Sequence, residues 1–309
     1  MKKLLTLLLF TSCLSTLAQQ DPQYNLYQFN QMIINPAYAG GRDGLAAIAA
    51  MRQQWAGFSG APQTMCFSLH TPLLKKNIGV GLTVINDRMG PRNVSSFYGN
   101  FAYILKINRK VKLSFGLNAG YNQYRFNFNE ISFKADESTP VQFLARQNLG
   151  ALDINSGMYL KTSDFFVGIS ASHLNAPDIY SYVPQQGTGK YVYKLKTHLF
   201  ITAGKSFILN RDFVFAPTVL IKTVNDTYGA DFNLNFFLYK KMWLGVFYRN
   251  GYGPGGLIQY YINNKTRIAY SYDSGIGSAS KLGGSHELMI GFDFFNSTNK
   301  GRMVNPRFL

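Results

Sequence analysis

Alternation of apolar and polar side chains recurs along most of the chain. In 111–122, apolar or aromatic residues share one face, and lysine, serine, asparagine and glycine share the other. The same period of two recurs in 78–84 and 165–171. This period is typical of β-strands, in which successive side chains point to opposite faces of a sheet. The polar face is rich in small residues, which suits a wet interior better than a packed core.

The alternating segments predict fourteen strands. Most have about 9 to 13 residues, which is the length that a tilted strand needs to cross a bilayer. An even number of strands is also what a closed bacterial barrel requires. The predicted strands are 45–53, 62–71, 77–86, 95–107, 111–122, 150–161, 164–172, 194–206, 212–222, 227–238, 242–249, 256–263, 265–274 and 284–295.

The connections between these strands alternate in length. If 45–53 rises from the periplasm, the periplasmic turns are short, and both long connections, 123–149 and 173–193, fall on the outer side. Outer-membrane barrels have this asymmetry. We therefore predict an all-β fold, a transmembrane antiparallel β-barrel of about fourteen strands. The alternative is a soluble exported β-sandwich or jelly roll, which would carry more charge and would hide its apolar residues.

The first eighteen residues have the features of a secretion signal. Lys2 and Lys3 precede the apolar run 4–10, and small residues follow before position 19. We therefore interpret residues 1–18 as a signal peptide that is cleaved after Ala18. The alternative is a lipoprotein signal in which Cys13 is the lipidated residue.

The rest of the chain divides into three parts. A segment at the periplasmic mouth, 19–44, precedes the barrel, 45–295, and a basic C-terminal tail, 296–309, follows it. Asn35-Pro36 and Gly40-Gly41 break regular structure in the first part. We expect this N-terminal segment to fold into or across the periplasmic mouth as a plug that is packed by its aromatic side chains.

Composition excludes several classes of protein. The 309 residues carry a net charge of +16, but only 15% are charged, against roughly a quarter in soluble domains. Aromatic residues also make up 15%, and 29 Gly and 11 Pro argue against long helices. These values argue against a helical membrane protein, a disordered chain, a coiled coil and an ordinary cytoplasmic enzyme.

Much of the positive charge falls at the predicted periplasmic turns. A basic ring there would attract an anionic partner, either a protein or an envelope polymer. The simpler interpretation is that these are solvated turns that keep the strand ends in water. Because no basic helix is present, we expect no nucleic acid as a partner. The ring residues are Lys75, Lys76, Arg109, Lys110, Arg211, Lys240, Lys241 and Lys265.

Motifs for catalysis, cofactors and metals are nearly absent. Gly251, Gly253 and Gly256 spell G-x-G-x-x-G, but Pro254 and a following strand indicate a loop rather than a dinucleotide site. The four histidines lack metal-ligand spacing. Cys66, alone once the signal is removed, is expected to be a structural thiol. We expect no enzymatic activity, no cofactor and no metal site.

A series of motifs runs through the first hundred residues and returns near the end. The motifs are Asn35-Pro36-Ala37-Tyr38-Ala39-Gly40, Arg52-Gln53-Gln54-Trp55-Ala56-Gly57-Phe58, Ser68-Leu69-His70-Thr71-Pro72 and Ser285-His286-Glu287-Leu288. This order resembles the PorP/SprF family of Bacteroidota outer-membrane proteins, densely over 19–105 and again over 283–295.

The resemblance implies an integral outer-membrane barrel that serves type IX secretion and gliding motility. Its expected partners are type IX secretion proteins, a secreted surface protein or adhesin that it helps to deliver or anchor, and outer-membrane lipid and lipopolysaccharide. The alternative function is an outer-membrane channel for a small or hydrophobic solute. The tyrosine-rich loop 173–193 suits either a protein contact or a lid over such a channel.

The signature residues are candidates for a plug or an interaction site. For Arg52 and Trp55, at the outer end of the first strand, ordinary barrel anchoring with Trp55 in the interfacial aromatic belt is an equal alternative. The candidate residues are Asn35, Pro36, Ala37, Tyr38, Gly40, Arg52, Trp55 and His70.

Overall fold

The computed structural model describes residues 21–73, 77–127, 147–182, 191–225 and 227–294. The predicted signal peptide, the basic tail 296–309, Lys75 and Lys76 lie outside these residues. Three short 3-10 helices come first, at Tyr27–Phe29, Gln31–Ile33 and Pro36–Tyr38. None of the helices in the described ranges is long and apolar enough to cross a membrane.

Strands account for most of the remaining described chain. In chain order they are β1 (Leu45–Gln53), β2 (Gln63–Leu73), β3 (Ile78–Met89), β4 (Arg92–Lys106), β5 (Lys112–Phe126), β6 (Gln147–Lys161), β7 (Phe165–Ser172), β8 (Asp178–Tyr182), β9 (Tyr191–Lys194), β10 (His198–Lys205), β11 (Phe207–Ile208), β12 (Phe213–Val224), β13 (Thr227–Leu238), β14 (Met242–Arg249), β15 (Gly253–Tyr261), β16 (Thr266–Asp273) and β17 (Ser285–Phe294).

Fourteen of these strands close into an antiparallel barrel. Neighbours in sequence pair along its wall, β10 bridges β7 and β12, and β1 pairs with β17 to complete the ring. The two-residue strand β11 pairs with the start of β12, and β8 and β9 form a separate hairpin. Closure leaves the barrel wall without a free edge, as a sheet in lipid requires.

The fourteen predicted strands are confirmed, with shifts at their ends. Strands β4 and β6 each begin three residues earlier than predicted. Strand β10 begins at His198 rather than 194, because 191–194 pairs with 178–182 in a hairpin that the sequence analysis treats as loop. The loop interpretation of the glycine motif was wrong in part, because Gly253 begins β15 and the motif spans a turn and a strand.

The barrel has two ends that differ in their connections. We call them the short-turn end, which the sequence analysis expects to be periplasmic, and the long-loop end. Among the described residues, the short-turn end holds 77, 107–111, 162–164, 206–212, 239–241 and 262–265. The long-loop end holds 54–62, 90–91, 127, 173–182, 191–197, 225, 250–252 and 274–284.

Side chains alternate between an apolar outer face and a buried inner face. In β17, Leu288 and Ile290 are exposed on the outside, whereas Glu287, Met289 and Asp293 are buried inside. Exposed apolar rows of this kind run around the barrel and are what a bilayer covers. The period-two pattern therefore marks a membrane-facing surface.

The interior contains a packed core rather than the wet lumen that the polar faces suggested. Leu26, Phe29 and Met32 of the N-terminal segment join a cluster with the inward residues Phe237 and Trp243. The rings of Phe29 and Trp243 lie 6.2 Å apart. The N-terminal segment thus supplies much of the barrel's core.

Candidate functional site

The N-terminal segment runs along the length of the lumen. Near its start, a carboxylate oxygen of Asp21 lies 2.9 Å from Nε2 of His173 at the long-loop end. Near its finish, the Gly40 N–H donates to Nδ1 of His70, 3.2 Å away, toward the short-turn end. The sequence analysis places this segment at the periplasmic mouth, but its described residues extend from one end of the barrel to the other.

Asn35 ties the signature motif to the barrel wall. Its Oδ1 accepts from the Ala37 N–H at 3.0 Å, which caps the 3-10 helix that Pro36 begins. Its Nδ2 donates to the carbonyl oxygens of Met158 and Ile169 at 3.0 and 3.4 Å. One side chain therefore sets the local turn and attaches it to β6 and β7.

Glycines on the inner face make room for this motif. A Cβ at Gly116 on β5 would overlap the backbone of Ala37, and one at Gly79 on β3 would overlap the carbonyl group of Ala39. A Cβ at Gly157 on β6 would meet the Asn35 side chain. The small inward residues therefore allow the backbone of the segment to approach the wall closely.

Tyr38 and His70 pack together in the part of the site nearest the short-turn end. The Tyr38 ring meets His70 and Tyr159 edge to face, with centroids 5.6 and 5.4 Å apart. Gly40 follows with a φ of +71°, a conformation that favours glycine. The chain then leaves the interior and enters β1 beside Asp43 and Gly44.

Arg52 lies inside the barrel, and its side chain is 2% exposed. It forms ion pairs with Asp273 at 2.9 Å and with Glu287 at 3.5 Å. Both carboxylates also hold Asn25, whose backbone N–H donates to Glu287 at 2.6 Å and whose Nδ2 donates to Asp273 at 2.6 Å. Arg52 therefore balances the charge of the two groups that bind the first part of the segment.

Arg249 is a second cation that the segment uses. Its Nε and Nη2 donate to the two carboxylate oxygens of Asp231, both at 2.9 Å. The same guanidinium donates to the side chain of Gln23 at 2.8 Å and to the Tyr24 carbonyl at 3.0 Å. The sequence analysis missed this pair, although charged residues in the polar rows of β13 and β14 were a usable signal.

A histidine–carboxylate cluster holds the start of the segment. Nδ1 of His173 lies 2.8 Å from Asp153, and Nδ1 of His198 lies 3.4 Å from Asp21. Burial alone would lower the pKa of His173, but Asp21 and Asp153 raise it to about 10. Burial would raise the pKa of Asp21, yet the charge of His173 holds it well below its usual range. His173 is therefore a cation at neutral pH.

A fourth ion cluster lies where the segment meets the short-turn end. Asp293 on β17 pairs with Arg267 on β16 and with Arg42 of the segment, the latter at 3.4 Å. Asp293 stays buried between the two guanidinium groups. The charges along the lumen are thus paired between wall and segment at both ends.

The other candidates lie outside the lumen. Trp55 is half-buried among the loops of the long-loop end, where its ring stacks on Tyr252 with centroids 6.3 Å apart. At the opposite end, six cations of the predicted ring are exposed at the turns. They are Arg109, Lys110, Arg211, Lys240, Lys241 and Lys265.

The described residues offer no metal centre, since none of their His, Cys, Asp and Glu side chains form a group of three that could hold an ion. Cys66 is a buried free thiol whose sulfur lies 3.7 Å from the Ser68 hydroxyl. The geometry of the interior is that of a segment docked in a lumen.

Three solved structures are similar to this chain. The CymD monoaromatic hydrocarbon channel has a TM-score of 0.50 and 11% identity, over 86% of this chain and 93% of that chain. The toluene transporter TodX of P. putida has a TM-score of 0.49 and 8% identity, over 85% and 93%. A FadL homologue of Pseudomonas aeruginosa has a TM-score of 0.49 and 11% identity, over 89% and 95%. At such low identity the likeness to CymD shows the fold alone.

The comparison of sequences gives the family. No curated protein matches the chain. A sequence model described as type IX secretion system membrane protein PorP/SprF matches residues 16–292. With its barrel fold, the protein is integral to the outer membrane. Because the match spans most of its length, this chain belongs to the PorP/SprF family of type IX secretion system membrane proteins.

Proposed function

We propose that this protein helps the type IX secretion system to deliver or anchor a secreted cell-surface protein, such as a gliding adhesin, at the outer membrane. One observation carries the proposal. The chain belongs to this family, and its own N-terminal segment occupies the lumen of the barrel. A barrel filled in this way is suited to holding a partner at its surface rather than to passing solute through its centre.

The energetics of the segment support this function. Moving residues 21–44 out of the lumen would break the hydrogen bonds of Asn25 to Asp273 and Glu287, those of Arg249 to the segment, and the ion pair of Asp21 with His173. A hydrogen bond to a charged group contributes about 1.5–3 kcal/mol. Each cluster therefore opposes opening, and the segment acts as part of the wall that a partner meets.

The long-loop end is also covered by the hairpin β8–β9. At its base, Ile179 and Leu195 pack against Val94, Tyr124 and Ala151, which point inward near the long-loop end of the barrel. The hairpin thus closes over the inner face of β4 to β6 and extends from the same end as the long loops. We propose this end as the place where the secreted protein is held.

A gentle detergent pull-down from the native outer membrane tests the proposal. The tagged full chain is extracted and its co-purifying proteins are identified by mass spectrometry. We expect a large exported protein with a type IX sorting domain. Recovery of the barrel alone, under conditions that keep a known outer-membrane complex intact, would contradict the anchoring function.

A matched variant separates anchoring from a general effect on the barrel. Replacement of the hairpin 178–194 by a short glycine–serine loop removes the proposed contact at the long-loop end. The control keeps the hairpin and carries Gly99→Ala, because a Cβ at Gly99 meets nothing within 4 Å. We expect the control to retain the secreted protein and the hairpin variant to lose it.

A further inference from the structure

Three connections at the short-turn end share one geometry. In each, an asparagine, Asn108, Asn210 or Asn263, accepts through Oδ1 from the backbone N–H groups two and three residues further along. The distances are 2.8 and 2.9 Å, 2.9 and 3.0 Å, and 2.8 and 2.9 Å. In each, the N–H groups of the asparagine and of the residue before it donate to one carbonyl, that of Val111, Phe213 or Thr266. Such asparagine turns hold the backbone in a defined shape.

The residue before each asparagine is an exposed aliphatic side chain. Ile107 is 55% exposed, Leu209 61% and Ile262 55%. Each continues the outward row of the strand that precedes it; Tyr103 and Leu105 come before Ile107, for example, and Ile258 and Tyr260 before Ile262. The turns therefore extend the membrane-facing surface beyond the last strand residue.

Cations follow these apolar side chains within three residues. Arg109 and Lys110 come after Ile107, Arg211 after Leu209, and Lys265 after Ile262. A fourth turn repeats the order with exposed Tyr239, Lys240 and Lys241, in a different backbone conformation in which Tyr239 and Lys240 have positive φ. We call these four turns, 107–111, 209–213, 239–241 and 262–266, the basic rim.

Acidic groups at this end are few among the described residues. Asp212 lies within the basic rim, Asp43 is exposed beside the start of β1, and Asp164 is half-buried in the turn after β6. The exposed cations outnumber them and are distributed over turns that follow β4, β11, β13 and β15. Three of these turns join successive strand pairs between β11 and β16, and the fourth joins β4 and β5, so the positive charge occupies two parts of the barrel mouth.

We infer that the basic rim binds the headgroups of acidic phospholipids in the leaflet that meets the short-turn end. Aliphatic side chains at the end of a membrane-facing row reach the acyl boundary, and lysine or arginine next to them reaches the phosphate. The asparagine turns hold the apolar and the cationic side chains two or three positions apart. The cations lie next to apolar side chains that face the membrane, so a lipid headgroup can reach them from the bilayer surface. The inference does not rest on the proposed function in secretion.

Reconstitution of the full chain tests this inference. The protein is placed in phosphatidylcholine vesicles with spin-labelled phosphatidylglycerol or spin-labelled phosphatidylcholine, and electron paramagnetic resonance measures the association constant of each with the protein. We expect phosphatidylglycerol to be preferred at low salt, and the preference to shrink at high salt because surface charges are screened. Equal association constants at low salt would overturn the inference.

Matched charge variants locate the effect. Arg109→Gln, Lys110→Gln, Lys240→Gln and Lys265→Gln together should strongly reduce the preference, since each cation near the headgroups contributes about fivefold in affinity. The control removes one arginine and three lysines at the other end, Arg125, Lys194, Lys196 and Lys281, each to Gln. The control should keep the preference. If both variants lose the phosphatidylglycerol preference equally, the preference depends on net charge alone and the inference is wrong.

The apolar half of the basic rim is tested separately. Ile107→Ser, Leu209→Ser and Ile262→Ser leave every charge in place, and heat-modified migration in gels checks that the barrel has folded. We expect the retention of both labelled lipids to fall while the ratio between them persists. If wild-type protein shows no lipid preference but the charge variant loses secretion in cells, the rim binds an acidic protein and the lipid inference is wrong.

Discussion

Arg249 on β14 donates two hydrogen bonds of 2.9 Å to Asp231 on β13, and it also donates to Gln23 and to the Tyr24 carbonyl. One guanidinium therefore closes a cross-strand ion pair and holds the N-terminal segment. The N-terminal segment is therefore part of the folded barrel, because it accepts the remaining hydrogen bonds of a guanidinium that the barrel wall has already buried.

Arg249→Gln should weaken the fold and loosen the start of the segment. It leaves Asp231 buried without its cation, which costs about 3–5 kcal/mol. Urea unfolding of the reconstituted protein measures the loss, and limited proteolysis reports on residues 21–30. The double variant Arg249→Gln/Asp231→Asn should recover part of the stability, since it removes the unpaired charge. If the double variant recovers no stability, the loss in Arg249→Gln comes from the broken contacts with Gln23 and Tyr24 alone.

Gly116→Ala should displace the signature motif from the wall. The added Cβ would overlap the Ala37 backbone, and overpacking of this kind costs about 1–3 kcal/mol. The shift is measured by urea unfolding and by protease cleavage within 35–40. Gly99→Ala serves as the matched control, since its Cβ points to open space on the neighbouring strand β4. Equal behaviour of the two variants would show that the motif does not need the close approach.

Alkaline pH should loosen the first residues of the segment. His173 has a pKa raised to about 10 from an ordinary 6.5. Its stabilising contribution is therefore complete below about 6.5 and is lost as the pH rises through 10. Amide hydrogen exchange at 21–26, corrected for the intrinsic pH effect, should show protection falling over this range.

The His173→Gln variant provides the control for the pH experiment. It removes the titrating group, so protection at 21–26 should be low and independent of pH between 6.5 and 10. The pKa of Asp21 is lowered, so its contribution is present above its ordinary 3.8 and is lost only in stronger acid. Unchanged protection of the wild-type protein up to pH 10.5 would contradict the assignment of His173 as a cation.

Deletion of residues 21–40 should open the lumen. The full chain should give no nanosiemens conductance in a planar bilayer, because the segment and its aromatic core fill the interior. The deletion removes Leu26, Phe29 and Met32 from that core and should produce stable conducting events. Large conductance from the full chain would instead support the channel alternative.

The sequence by itself determined the barrel. Alternation in segments such as 111–122 identified the strands, because every strand of a membrane barrel alternates apolar side chains toward lipid with inward side chains. The family motifs identified the N-terminal segment as special. Three of their residues, Asn35, Tyr38 and His70, lie close together in the lumen, and Arg52 lies inside the barrel nearer the long-loop end. Nothing in the order of the motifs says which part of the wall each residue meets.

Only the tertiary structure decided what fills the barrel. Alternation reports which face a residue occupies but not what lies across from it, so the same polar rows fitted water or a buried segment equally well. Gly116 against Ala37 and Arg249 against Gln23 are contacts between positions 79 and 226 residues apart. Such pairings depend on closure of the ring and on the path of the segment through it, and these are properties of the whole fold that no local pattern carries.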